Sequence, residues 1–175
     1  FAGDFVVDSG TFGLVGLPTS VATDIEAIPD VSVVAPLRFS PATVDGDETS
    51  VTGATVGAFE LLDLRVVEGT DELASGEVVI TQDTADSDGL ALGDPIAVSF
   101  LDDHRPEPDR TATVAGIYDD STASGGIGSV VLNLDDFTAA VPTSTDAQVF
   151  VKLADGVSVA EAEPEIERVV EPYVT

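Results

Sequence analysis

Strand-plus-helix texture stands at both ends of this chain, and the stretch between them reads as β-rich; that order limits the possible folds more than any single motif does. Asp4 to Asp8 is a strand candidate that ends at the Ser9-Gly10 turn signal. Leu17, Val21, Ile25 and Ile28 then recur at steps of four, four and three, which marks one face of a helix. Pro18 suits that helix's first turn and Pro29-Asp30 stops it. Val31 to Pro36 returns as a strand. At the far end, Gln148 to Leu153 is a strand, Asp155-Gly156 a turn, and Ser158 to Glu161 a capping box. Ala162, Ile166, Val169, Val170 and Tyr173 continue a helical face. Pro164 interrupts it, so either the helix begins there or it kinks.

The middle is rich in strand candidates. Thr49 to Val56, Ile96 to Phe100 and Thr111 to Ala115 alternate with period two, and the apolar runs Val78 to Ile80 and Val130 to Leu132 also read as strands. Phe59 to Leu64 reads as a short apolar turn or helix before Val66 to Gly69, and a polar stretch after Ile80 and Leu134 to Ala140 read as short helices. Asp102 to Asp109 is a polar loop with two prolines, and Ser121 to Gly128 a Gly- and Ser-rich one. The fold class is α+β in two lobes: residues 1–75 plus 142–175 form a βαβ-type lobe from both chain ends, and residues 76–141 form a β-rich inserted lobe.

A length of 175 residues with 43% hydrophobic content is enough to bury a core, although only 6% is aromatic. Aliphatic side chains must therefore do most of the packing. Charge is the outlier: six Lys and Arg stand against 33 Asp and Glu, a net charge of −27. Such a surface repels phosphate backbones and anionic headgroups, which argues against nucleic acid and membrane-surface binding. It reads either as a solvated acidic shell or as a surface for a cationic partner. With no cysteine, disulfides and thiolate metal sites are excluded, though export is not. No apolar run approaches the roughly 18 residues of a membrane span, and the start inside a strand reads as a domain excised from a membrane protein.

The search for chemistry finds no catalytic, cofactor-binding or metal-binding residue to assign. His104 lies beside Asp102, Asp103 and Arg105 with no second imidazole, and reads as a solvated loop residue. Thr84 to Gly89 superficially matches a calcium loop but places Thr84 and Pro95 at the two anchoring positions; a helix C-terminal turn capped by Gly89 explains it better. Asp119-Asp120 and Asp135-Asp136 read as turn caps. Gly125 to Gly128 lacks the lysine of a phosphate loop. The chain reads as a non-enzyme. A hydrolase would instead need a concave site gathering carboxylates of perturbed pKa.

The collinear order of weak markers carries a resemblance. Leu17-Pro18, Val21, Ile25 and Ile28 to Val31, then Phe59, Leu62 and Val67 to Gly69, resemble the MacB-like periplasmic domain of FtsX-like ABC-transporter permeases. Gly76 to Ile80, Ala85, Gly89 to Asp94, Val114 to Tyr118 and Val149 to Gly156 continue it over nearly the whole chain. Asp30 departs from the glycine usual after Ile-Pro, and Pro164 departs in the last helix. The resemblance implies a two-lobed extracytoplasmic insert between the first two membrane helices of a permease. It implies coupling of ATP-driven motion to substrate export or partner regulation outside the membrane, with no cofactor and with ATP hydrolysis on a separate cytoplasmic subunit. The implied partners are that ATP-binding subunit, a second permease copy, and an extracytoplasmic protein or peptide. Both ends, Phe1 and Thr175, should then face the membrane. The competing reading is a free secreted or cell-surface ligand-binding or adhesion module.

Overall fold

The computed structural model describes residues 1–10, 16–100, 110–119, 121 and 127–173. Among them five helices accompany one nine-stranded sheet, the α+β architecture that the sequence texture predicts. The strands are β1 (Phe5–Val7), β2 (Val31–Val44), β3 (Asp47–Ala54), β4 (Arg65–Gly69), β5 (Glu77–Thr81), β6 (Pro95–Phe100), β7 (Arg110–Asp119), β8 (Val130–Asn133) and β9 (Gln148–Leu153). Helices α1 (Thr19–Glu26), α2 (Val56–Leu62), α3 (Gln82–Asp88), α4 (Leu134–Ala140) and α5 (Val159–Val170) punctuate them.

Sheet order is β1-β9-β2-β3-β8-β5-β7-β4, with β6 bridging β2 and β7. Pairs β3–β8 and β5–β7 are parallel and the remaining ladders antiparallel. The last strand of the chain thus lies between its first two. β2 links the two parts of the sheet. Val31 to Leu37 pair with β9, and from Arg38 to Val44 the strand pairs with β3.

β2 is longer than the Val31–Pro36 strand expected from sequence, because Pro36 and Pro41 both sit within it. Proline lacks the ladder N–H but still accepts through its carbonyl and keeps an extended φ. The strand ends in a tight hairpin. Asp45 and Gly46 take φ values of 50° and 97° between the paired residues Val44 and Asp47, the mirror-image turn that matches strand twist.

Three apolar clusters fill the space on both faces. Val149, Val151 and Leu153 of β9 point toward Val21 and Ile25 of α1 and Ile166 and Val170 of α5. Phe150, on the alternate face of the same strand, joins Ala35, Leu37 and the α2 residues Phe59 and Leu62. The third cluster packs β5–β8 against Ala85 of α3 and Phe137 of α4, with Phe137 edge-on to Phe100 at 5.5 Å. β7 serves two clusters through a bulge: its register with β5 slips between Val78 and Val79, so Val114 and Ile117 share one face despite their odd spacing. At Gly69 (φ 76°) a Cβ would collide with the Ala115 carbonyl inside that bulge, so only glycine fits that close approach.

α5 resolves the Pro164 alternatives. The helix begins at Val159 behind the Ser158–Glu161 capping box, and Pro164 lies inside it. The ring removes the amide that would bond the Ala160 carbonyl, a loss borne by burial of Ala162, Ile166 and Val170.

Candidate functional site

The residues singled out for chemistry disperse in the fold. Thr84 to Gly89 are most of α3 and its left-handed cap at Gly89 (φ 66°), with Thr81 accepting from the Thr84 amide at the other end. Asp119 caps the Ser121 amide at 2.9 Å and pairs with Arg65 at 3.2 Å; the Ser121 contacts foremost, with Arg65, hold its carboxyl below the ordinary range. Asp135 and Asp136 open α4 under the Asn133 cap, and Asp136 receives Ser75 Oγ and the Gly76 amide at 2.8 and 2.7 Å. His104, Asp102, Asp103, Arg105, Asp120, Gly125 and Gly126 lie outside the described residues. Ile127 is buried, and its carbonyl and that of Gly128 accept from Thr52 and Tyr118. Among the described residues no three His, Cys, Asp or Glu converge on a metal-sized site.

What the fold does gather is a buried polar junction. Arg38 is the first β2 residue to pair with β3, and its side chain turns inward at 8% exposure. Its Nε donates to Asp146 Oδ1 at 2.6 Å, and its Nη1 donates to Thr138 Oγ1 on α4 at 2.6 Å. Thr138 in turn donates to the Leu134 carbonyl at 2.7 Å, which fixes its hydroxyl as an acceptor toward the guanidinium. The Asp146 backbone exchanges two hydrogen bonds with Leu17, at 2.8 and 2.9 Å, and the next amide, Ala147, donates to the Leu37 carbonyl at 2.8 Å. Four segments therefore meet: β2, α4, the lead-in to α1 and the lead-in to β9.

The electrostatics of this junction are costly. Asp146 is fully buried and its Oδ2 has no hydrogen-bond partner among the described residues. Burial pushes its carboxyl above the usual carboxylate range, with Arg38 pulling the other way. Replacing both partners of such a pair by apolar residues is often neutral, whereas removing one strands a buried charge. A second tie lies toward the other end of the β2–β9 ladder: Lys152 Nζ of β9 donates to Glu60 Oε1 of α2 at 2.6 Å, which raises the lysine's pKa. No nucleophile and base are paired at the junction; its geometry suits holding elements at a set angle.

Arg38 and Asp146 were missed because their partners lie 108 residues apart. One signal was present: a cation inside Ala35-Pro36-Leu37-Arg38-Phe39, in a chain with only six cations. Such a residue on an apolar strand needs a buried acid.

The geometry agrees with known proteins of one kind. The family described as the MacB-like periplasmic core domain matches residues 2–169. The crystal structure of the periplasmic region of MacB from Actinobacillus actinomycetemcomitans is similar at a TM-score of 0.70 and 15% identity, over 95% of this chain and 81% of that one. The extracellular domain of the noncanonic ABC-type transporter YknZ from Gram-positive bacteria is similar at a TM-score of 0.66 and 13% identity, over 90% of this chain and 83% of that one. No curated protein matches the chain.

Proposed function

Because the chain belongs to the MacB-like periplasmic core domain family, we propose that it is the extracytoplasmic domain of an ABC-transporter permease and acts as a stiff lever. In this reading ATP is hydrolysed on a separate cytoplasmic subunit. The resulting motion passes through membrane helices into the lobe of residues 1–75 plus 142–175, and on to the inserted lobe of residues 76–141, which meets cargo or partner. A second permease copy faces the first. The domain itself carries no catalytic role.

The observation that carries the lever is continuity. The β3–β8 and β4–β7 ladders run across the boundary between the two lobes, so the sheet is not interrupted there. Arg38 spans the same boundary, holding Asp146 on one side and Thr138 on the other. A ladder and a buried ion pair resist bending better than a flexible linker does, so displacement at one end reaches the other. No helix among the described residues is long and apolar enough to cross a membrane. The competing reading, a free secreted or cell-surface module, makes no use of such stiffness.

Topology decides between them. The chain has no cysteine, so Asp88→Cys adds a single exposed thiol to the domain. In intact cells making the full-length protein, a membrane-impermeant maleimide should label that thiol without lysis, and the labelled protein should stay with the membrane through alkaline extraction. Labelling only after lysis, or release by extraction, would falsify the permease reading.

A further inference from the structure

The outer edge of the sheet carries a groove that the lever does not use. β1 is the terminal strand of the sheet order and pairs with β9 alone among the described residues, which leaves its second edge open. Strand edges are usually blunted by a Lys, a Pro or a covering element. Phe5-Val6-Val7 holds neither residue, and Val6 is 46% exposed. Between this strand and α5 lies an open groove of 690 Å³, floored by Phe5, Ile166 and Val170 and rimmed by Asp8, Glu163, Glu167 and Glu171. The one cation on the rim, Arg168, is engaged by Glu165 at 2.9 Å. The rim facing a ligand is therefore net acidic.

We propose that this groove takes an extended peptide segment with basic and apolar residues in alternation, which adds to β1 as a further strand. Three features favour that occupant. An open strand edge offers main-chain hydrogen bonds to an extended chain, and alternate side chains of such a ligand fall on opposite faces. Side chains on the face that Phe5 and Val7 share meet the floor and the acids of α5, and those on the other face lie along exposed Val6. The spacing matches as well: four residues of helix rise about 6 Å and two residues of strand about 6.7 Å. Basic side chains at every second position thus stand nearly opposite Glu163, Glu167 and Glu171.

Charge selects against a second copy in the same place. A two-fold contact through β1 would bring the two acidic rims face to face, on chains that each carry −27. The inference rests on the groove facing the extracytoplasmic space and not on the stiffness of the domain. Its failure leaves the labelling result above untouched, and a failed labelling result leaves peptide binding measurable on the isolated chain.

The probe is a labelled nine-residue peptide of alternating Lys and Val, followed by fluorescence anisotropy and by hydrogen exchange of the β1 amides. Saturable binding with new protection at Phe5 to Val7 is expected. The triple variant E163Q/E167Q/E171Q should weaken it about tenfold, as three rim charges near a cationic ligand do. D83N/D86N/D88N, which removes the same charge from exposed positions on α3, should leave binding unchanged. Methylation of alternate backbone nitrogens of the peptide should abolish it. Equal loss in the two triple variants, undiminished binding of the methylated peptide, or occupation of β1 by a second copy of the chain overturns the proposal.

Discussion

Arg38–Asp146 and Arg168–Glu165 join the same kinds of group in opposite surroundings. The first pair is 8% and 0% exposed, ties four segments of the fold together and leaves one carboxylate oxygen without a partner among the described residues. The second is 73% and 43% exposed, on the outer face of one helix. Water screens the surface pair and lets both ends find other partners, so it adds little to stability. Burial strengthens the inner pair's attraction but charges both groups a desolvation cost. The contrast separates two uses of charge in this molecule. Inside, one pair sets the geometry of the junction; outside, the excess of acids sets what the surface attracts.

The largest effect should come from splitting the inner pair. Asp146→Ala leaves the Arg38 guanidinium buried with only Thr138, and should destabilise the fold by about 3–5 kcal/mol in urea unfolding. The double variant Arg38→Met with Asp146→Leu should recover most of that loss. If the double variant is as unstable as the single one, the cost lies in packing and not in the stranded charge.

A smaller effect concerns pH and has a definite sign. Burial raises the Asp146 pKa above its ordinary 3.8, so the folded state holds that proton more tightly than the unfolded chain. The carboxyl's contribution is fully present below the unfolded value and is lost as pH rises through the folded one. The stability of the native chain relative to Arg38→Met/Asp146→Leu should therefore fall as pH rises from about 3 to 7. A gap that grows in the native chain's favour over that range would show that attraction to Arg38 outweighs desolvation. The smallest effect belongs to the outer pair: Arg168→Ala should change stability by about 0.5 kcal/mol or less.

The same contrast explains what could be seen in the sequence. Local signals were legible: the helical face through Leu17, Val21 and Ile25, the Ser158–Glu161 box, the Gly89 cap, and the alternation in β6 and β7. Collinear markers from Leu17 to Gly156 were enough to indicate the family. β2 runs past the expected end at Pro36 to Val44, where the Asp45-Gly46 hairpin turn closes it. Pro164 stayed ambiguous since a capping box and a helix breaker compete locally, and only the packing of Ile166 and Val170 decides between them. The junction was illegible for a different reason. Nothing near Arg38 in sequence states that Asp146 and Thr138 will meet it, because sheet topology creates that contact.

The central claim is that motion crosses this domain without being absorbed in it. Spin labels at Glu26→Cys on α1 and Asp86→Cys on α3 report distance within one domain, and Asp86→Cys alone reports distance between the two permease copies that we propose. Both are to be measured by pulsed electron resonance on the full-length protein with the ATP-binding subunit that the proposal assigns to it. On trapping the nucleotide-bound state, the distance within a domain should stay narrow and unchanged while the distance between copies shifts. A shift within the domain with no change between copies would contradict the account.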